Sequence, residues 1–203
     1  MSGIVEQCPI FLKEGNISLQ EKTLHMIGNI SKFNDSSHNT FRKHKIVEAI
    51  AKCLEENPKN KPILKNTIYA IGNISFHSNT FACEVRPIIK LLAEGLSFDD
   101  DHMLVNTLST INNLIRHGPD LLTELIDSGI LDLTIELYRK ANSINQVTIF
   151  ISVIKKAMAF PLFKSRIDKD TIKLIKVSLE QFTARGFVRK DDRNAIGLMK
   201  LLY

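Results

Sequence analysis

The sequence predicts an all-α fold built as a solenoid of helical repeats, and two observations lead to this prediction. One helical phrase occurs three times, in residues 23–30, 67–74 and 107–114, so that its copies start 44 and 40 residues apart. The length of 203 residues suits four to five such units, and 44% of the residues are hydrophobic, as in a folded protein. Repeats of this period pack only on their neighbours and build no closed active-site pocket.

The first helices are placed by their flanking residues. Residues 3–13 fit the second helix of a truncated first unit. Residues 46–54 have apolar side chains at helical spacing and stop at Asn57 and Pro58. The next helix opens at Lys61 and Pro62, because proline suits the first turn of a helix.

The later helices follow an order of short, medium and long. Asp99, Asp100 and Asp101 supply N-cap chemistry for the third member of one set, and Ser128 and Gly129 stop a helix in the next set. The predicted helices are 79–85, 86–96, 101–117, 119–127, 130–140, 144–160, 170–182 and 189–202.

This three-helix unit resembles the armadillo repeat. That family ends its second helix with a Leu-Leu run and closes its third with Ala-x-x-x-Leu-x-Asn-Leu, and residues 88–92 and 69–74 are the clearest matches. The resemblance implies a right-handed armadillo-type α-solenoid of about four three-helix repeats with a C-terminal helical cap. We expect a single domain over 1–203, with approximate units 1–37 (partial), 38–78, 79–118, 119–160 and the cap 161–203.

A narrower resemblance rests on residues 72–78 and 86–92, which are similar to the C-terminal armadillo region of the Fused and Unc-51-like serine/threonine kinases. It implies a kinase regulatory region in signalling or in cilium and microtubule assembly. The Val-Ala-x-Lys, His-Arg-Asp and Asp-Phe-Gly kinase motifs are absent, as are phosphate-loop, Gly-x-Ser-x-Gly and His-Glu-x-x-His motifs. We therefore expect neither catalysis nor a cofactor in these residues.

The third helices carry the candidate binding residues, because residues four apart share one helix face. The armadillo resemblance places Asn29, Asn73 and Asn113 on the asparagine ladder that hydrogen-bonds an extended peptide in the concave groove, where a carboxamide offers both donors and acceptors. The alternative is that these asparagines bond the local chain between units, and both roles can hold at once. The predicted partner-binding residues are His25, Asn29, Lys65, Tyr69, Asn73, His77, Ser109, Asn113 and His117.

The residues four positions before each asparagine, and the charges on the same helix faces, indicate the class of ligand. Nuclear import adaptors of this family have tryptophan four residues before the asparagine, whereas this chain has none and offers His25, Tyr69 and Ser109 there. Glu21 is the one acidic residue on these stripes. This argues against a nuclear-localisation signal and favours a mixed or acidic peptide.

Glycine and histidine positions on the same helices have structural explanations. Gly28 and Gly72 lie inside helices, where each costs about 1 kcal/mol relative to Ala, so we expect close helix packing at both. His77 and His117 stand 40 residues apart but lack further ligands at helical spacing, so we expect no metal site.

The distribution of charge supports an alternative function. The net charge is +5, yet residues 155–203 hold twelve Lys and Arg against five Asp and Glu. This surface could bind RNA, an acidic tail or phosphoinositides, although nucleic acid is disfavoured because few aromatic residues are interleaved. Its residues are Lys164, Arg166, Lys169, Lys173, Lys176, Arg185, Arg189, Lys190 and Arg193. Self-association through the ends of the array is a third alternative.

The cellular location is predicted from the cysteines and the N-terminus. Cys8, Cys53 and Cys83 are odd in number, form no Cys-x-x-Cys pair and lie in or beside apolar helical segments. We expect buried, reduced thiols. No signal-peptide pattern and no run of about 18 apolar residues is present. The expected location is cytoplasmic, with cilium or cytoskeleton association if the kinase resemblance holds.

Overall fold

A computed structural model describes residues 2–33, 36–77, 82 and 84–203, and within these ranges it leaves out the side chains of residues 2, 33, 36, 38 and 77. Every regular element in the described ranges is a helix, which confirms the all-α prediction. None of the helices described is long and apolar enough to cross a membrane. The chain divides into two compact units, Met1–Gly95 and Leu96–Tyr203, called unit 1 and unit 2.

Unit 1 is built from five helices and a 3₁₀ turn among the described residues, and its long helices pack side by side. Helix α1 packs on α2 and α4, and the long helix α2 lies along the long helix α5. Buried side chains such as Leu24, Ile27 and Ile68 fill the space between them. The helices are α1 (Ser2–Lys13), α2 (Ile17–Phe33), α3 (Ser36–Lys43), α4 (Ile46–Glu56) and α5 (Lys61–His77), followed by a 3₁₀ turn at Arg86–Ile88.

Helix α6 (Leu91–Ser97) contains the division between the units, and seven further helices form unit 2. Helix α7 packs on α8 and α10, and α9 packs on α8 and α10. These helices are α7 (Asp101–Ile115), α8 (Pro119–Asp127), α9 (Ile130–Tyr138), α10 (Ile144–Met158), α11 (Pro161–Arg166), α12 (Lys169–Ala184) and α13 (Arg193–Leu202).

The C-terminal segment contains three helices, whereas the sequence predicted two. Helix α11 packs on α8, α12 on α9 and α13 on α10, so each contacts its counterpart in the preceding set. The segment that was expected to cap the array therefore packs on the preceding set helix by helix, although its middle helix, with 16 residues, is longer than its last, with 10. The repeat boundaries themselves stay a prediction.

Two predicted helices differ in the structure. The helix predicted over 86–96 begins as a 3₁₀ turn, in which Ile88 and Ile89 donate to carbonyls three residues back, and it is α-helical only from Leu91. The helix predicted over 144–160 ends at Met158, since Pro161 holds Phe160 extended and opens α11.

The acidic run before α7 acts as predicted. Asp100 is the N-cap residue of α7, and its carboxylate accepts a hydrogen bond of 2.8 Å from the backbone N–H of Met103. Asp101 also ties α7 to α10, because its Oδ1 accepts from Gln146 Nε2 at 2.8 Å. The prediction of a loop and N-cap is confirmed.

Buried cysteines and aromatic rings stabilise the two units. Cys8 and Cys53 in unit 1 are free and buried, as predicted, whereas Cys83 lies outside the described residues. In unit 2 the Tyr138 ring packs against Phe150 and Phe182, with centroid distances of 5.8 and 5.1 Å. This aromatic cluster joins α9, α10 and α12.

Candidate functional site

The site begins at a close approach of α2 and α5, at Gly28. A β-carbon on Gly28 would lie 2.5 Å from Tyr69 Cδ1 and 3.3 Å from the Cα of Ala70. Only a residue without a side chain fits this approach. The close packing predicted at Gly28 is confirmed, and Gly72 is buried at the matching position of α5.

A polar cluster lies beside this contact, across the same two helices. The rings of His25 and Tyr69 stack, with centroids 5.6 Å apart and planes inclined by 24°. The Tyr69 hydroxyl donates to Asn29 Oδ1 at 2.8 Å. The Nδ2 atom of Asn29 lies 3.5 Å from His25 Nδ1, which is longer than an ordinary hydrogen bond. The three side chains therefore hold one another in place.

The second ladder asparagine bonds the backbone of the facing helix. Asn73 Nδ2 donates to the carbonyl oxygen of Gly28 at 3.1 Å. Both Asn29 and Asn73 are thus bonded to the neighbouring helix, which is the local role that the sequence left open for them. Each amide still has one free edge: among the described residues, none donates to Asn73 Oδ1, and the N–H groups of Asn29 have only the long contact to His25.

Unit 2 repeats this arrangement with different residues. Lys156 Nζ donates to the carbonyl oxygen of Asn112 at 3.2 Å, as Asn73 does to Gly28. Ser152 Oγ donates to Asn112 Oδ1 at 3.1 Å, as Tyr69 does to Asn29. Asn112 stands where the first two repeats have glycine, so Lys156 occupies the asparagine position of the fourth unit.

The sequence pattern of residues 148–156 alone predicts the asparagine position of this unit near Ile154 or Lys155, which is one or two residues too early. Ile154 is buried in the core, and Lys155 points to α13, where its Nζ donates to Asn194 Oδ1 at 3.1 Å. The hydrogen bond spans 45 residues between Gly28 and Asn73 and 44 residues between Asn112 and Lys156, and only the packing of α10 on α7 shows that the two bonds are equivalent.

The Lys156 position gathers positive charge. Burial of its ammonium group lowers the pKa of Lys156, and the nearby cations Arg116 and Lys155 lower it further. In unit 2 the ladder position is therefore an electropositive site, whereas in unit 1 it is held by the uncharged amide of Asn73.

The remaining predicted binding residues are spread over both units. Lys65 is half-buried on α5 in unit 1, and the side chain of His77 lies outside the described residues. Ser109 and Asn113 are half-buried on α7, and His117 follows the end of that helix. The structure brings four of the predicted binding residues together: His25, Asn29, Tyr69 and Asn73. The sequence did not predict four further residues as part of these contacts: Gly28 as a backbone acceptor, Asn112, Ser152 and Lys156.

The basic residues of the alternative surface are exposed or half-buried and are distributed over α11, α12, α13 and the connection between the last two. Arg166 pairs with Asp127 on α8. Lys176 lies over the ring of Tyr203, with Nζ 3.7 Å from the centroid. In the described ranges, no three His, Cys, Asp or Glu side chains are grouped so that they could hold a metal ion.

Comparison with known proteins finds matches among solved structures. No protein-family model matches the chain, and no curated protein matches it. A designed armadillo repeat protein in complex with the peptide (KR)4 is 14% identical, with a TM-score of 0.78 over 99% of this chain and 82% of that one.

Two further engineered proteins agree with this match. A computationally designed armadillo repeat protein for modular peptide recognition is 16% identical, with a TM-score of 0.77 over 98% of this chain and 82% of that one. Another engineered protein gives a TM-score of 0.77 at 15% identity; the match covers 98% of this chain, which spans 48% of that protein's length. These likenesses show that the chain has the armadillo-repeat fold.

Proposed function

We propose that this chain is a non-enzymatic scaffold that binds an extended peptide segment of a partner protein across α2 and α5. The observation that carries the proposal is the pair Asn29 and Asn73, which are half-buried, held by bonds to neighbouring side chains and backbone, and still offer one free edge each. The designed neighbours of this fold include one bound to a peptide and one made for peptide recognition, which supports the same use here.

The free edges match the chemistry of a peptide backbone. Asn73 Oδ1 accepts from a peptide N–H, and the Asn29 amide group donates to a peptide C=O. The Tyr69–Asn29 and Asn73–Gly28 bonds fix both carboxamides before the ligand arrives, so less side-chain entropy is lost on binding. The stacked rings of His25 and Tyr69 provide an apolar platform for one ligand side chain.

The charges favour an acidic or mixed ligand over a basic one. The chain has no tryptophan to stack on lysine or arginine stems. At its equivalent helix contact, unit 2 presents the ammonium of Lys156 near Arg116 and Lys155. A ligand that engages unit 2 in the same way meets positive charge, which attracts Asp and Glu and repels Lys and Arg.

The test selects ligands from a random peptide library with the whole chain and then measures binding of the selected synthetic peptides. The Asn29→Ala/Asn73→Ala variant should bind the peptide about tenfold or more weakly, because the hydrogen bonds from these two side chains to the peptide backbone are removed. The matched control is Asn142→Ala/Asn145→Ala, at exposed positions before and at the start of α10, which should bind like the unchanged chain. A folded double variant with full affinity would refute the proposal.

The narrower assignment, a regulatory region of a Fused-like kinase in signalling or in cilium and microtubule assembly, rests on the resemblance of residues 72–78 and 86–92 alone. No family model and no curated protein supports it. A pull-down with the whole chain, washed at low and high salt, should recover kinase or ciliary components; their absence would remove this assignment. The anion-binding alternative rests on nine cations that are distributed over α11, α12, α13 and the connection between the last two, and no comparison supports it.

A further inference from the structure

A groove of about 650 Å³ lies between the last two helices, α12 and α13. Its floor is aliphatic: Leu179, Val188 and Ala195 are buried, and Met199 and Ile196 line one side. Ile196 keeps 42% of its surface exposed. Grooves of this size accept several apolar side chains of a ligand.

Unpaired positive charge surrounds this apolar floor. Arg189, Lys190 and Lys200 line the groove, and Glu180 is the one acidic residue among its lining residues. In the part of the chain that the structure describes, none of these three cations makes an ion pair, whereas Arg166 on α11 pairs with Asp127. Three cations against the one carboxylate of Glu180 leave the lining with a net charge of +2, which favours an acidic ligand.

A cation–π contact outside the groove joins the same two helices. Lys176 on α12 lies over the ring of Tyr203 at the end of α13, with Nζ 3.7 Å from the ring centroid. Tyr203 as a whole residue is 83% exposed. The two helices that form the groove therefore carry a further cation and a further exposed aromatic residue outside its lining.

We propose that this groove is a second docking site, which takes an acidic amphipathic helix of a partner protein. Its apolar side chains enter between Leu179 and Ile196, and its carboxylates meet Arg189, Lys190 and Lys200. The groove lies in unit 2, whereas the polar cluster of α2 and α5 lies in unit 1, and the proposal does not depend on peptide binding at that cluster.

Other occupants fit the chemistry less well. A second copy of this chain would bring two segments of the same positive charge together, because residues 155–203 carry twelve basic and five acidic residues. RNA gains nothing from an aliphatic floor, since bases stack on aromatic side chains. An acidic helix with an apolar face satisfies both the floor and the rim.

The probe is a fluorescein-labelled synthetic helix with leucine at positions i, i+3, i+4 and i+7 and glutamate elsewhere. Binding to the whole chain is measured by fluorescence anisotropy. Two matched peptides serve as controls, one with lysine for every glutamate and one with alanine for every leucine. The acidic peptide should bind at least about tenfold more tightly than either, because only it supplies both charge and apolar surface.

Variants locate the binding. Two variants should each lower the affinity for the acidic peptide by about tenfold or more. Arg189→Glu/Lys190→Glu reverses the charge of the rim, and Ile196→Glu places a carboxylate beside the apolar floor. Lys164→Glu/Lys169→Glu makes the same charge change at exposed positions outside the groove and should weaken it by less than about threefold. Circular dichroism of every variant verifies the fold, and Ile196 tolerates substitution because it is partly exposed.

Several results would overturn the proposal. The lysine peptide binding equally well, or the control variant losing as much affinity as Arg189→Glu/Lys190→Glu, would show that the groove does not select the ligand. A concentration-dependent dimer in sedimentation that Ile196→Glu abolishes would assign the groove to a second copy. The whole chain could instead bind RNA or anionic vesicles. If Arg189→Glu/Lys190→Glu weakened that binding and Ile196→Glu did not, the groove would act only as a basic surface.

Discussion

Gly28→Ala tests whether the contact between α2 and α5 depends on a missing side chain. The new methyl group would lie 2.5 and 2.7 Å from two ring carbons of Tyr69 and 3.3 Å from the Cα of Ala70. The ring has to move, yet Tyr69 is held by its bond to Asn29 and its stacking on His25. The backbone at Ala70 moves only if the helices separate.

The magnitude follows from opposing contributions. Alanine in a helix interior gains about 1 kcal/mol over glycine. Overpacking a close contact costs about 1–3 kcal/mol, and displacing Tyr69 loses its hydrogen bond to Asn29, worth about 1 kcal/mol. We expect Gly28→Ala to lower the free energy of unfolding by about 2 kcal/mol, equivalent to a loss of about 4–8 °C in Tm.

The assay is urea unfolding followed by far-UV circular dichroism, analysed transition by transition because repeat arrays unfold with limited cooperativity. The control is Gly3→Ala in α1, where a β-carbon meets nothing within 4 Å and the change should be neutral or slightly stabilising. Tyr69→Ala combined with Gly28→Ala should recover part of the loss, with a coupling energy of about 1 kcal/mol or more. A Gly28→Ala chain as stable as Gly3→Ala would refute the reasoning.

Three further predictions concern single side chains. Tyr138→Phe should raise the free energy of unfolding by about 1 kcal/mol, because its buried hydroxyl has no partner among the described residues while the ring contacts remain; a less stable variant in thermal melts would contradict this. Burial raises the pKa of Cys8 and Cys53 from 9.0 to about 11, so both should resist Ellman's reagent in the native chain near about pH 8. These thiols ionise at lower pH in the unfolded chain than in the folded one. Their contribution to the free energy of unfolding is therefore full below pH 9.0 and declines as pH rises to about 11. Rapid labelling of the folded chain, or a free energy of unfolding that does not change across that range, would show that the thiols are not buried as described. Lys156→Met should cost about 1 kcal/mol in urea unfolding because the bond to Asn112 is lost, whereas Lys156→Asn should keep most of it; equal losses would show that this bond is unimportant.

Several elements could be predicted because the information is local. The helices 119–127 and 46–54 are bounded by proline, glycine and asparagine, and the structure begins and ends them within two residues of those bounds. The Asp100 N-cap follows from a carboxylate three residues before the N–H group that it accepts from. The three-residue and four-residue spacing of apolar side chains gave the buried face of each long helix.

Other features depend on which helices meet. The sequence showed an asparagine at positions 29 and 73 but not that Tyr69 bonds the first or that Gly28 accepts from the second, because these partners are 40 and 45 residues apart. It did not show that Lys156 takes the ladder position, because lysine shares no pattern with asparagine and only the position of α10 against α7 makes them equivalent.

The sequence by itself determined the helical class, the repeat period, most helix ends and the residues that lie on one helix face, because hydrophobic spacing and capping act within a few residues. Only the tertiary structure decided which edges of Asn29 and Asn73 stay free, that residues 161–203 form three helices packed on the preceding set, and that cations surround an apolar groove between α12 and α13. The physical reason is that hydrogen bonds between helices, burial and unpaired charge depend on distances between residues far apart in the chain.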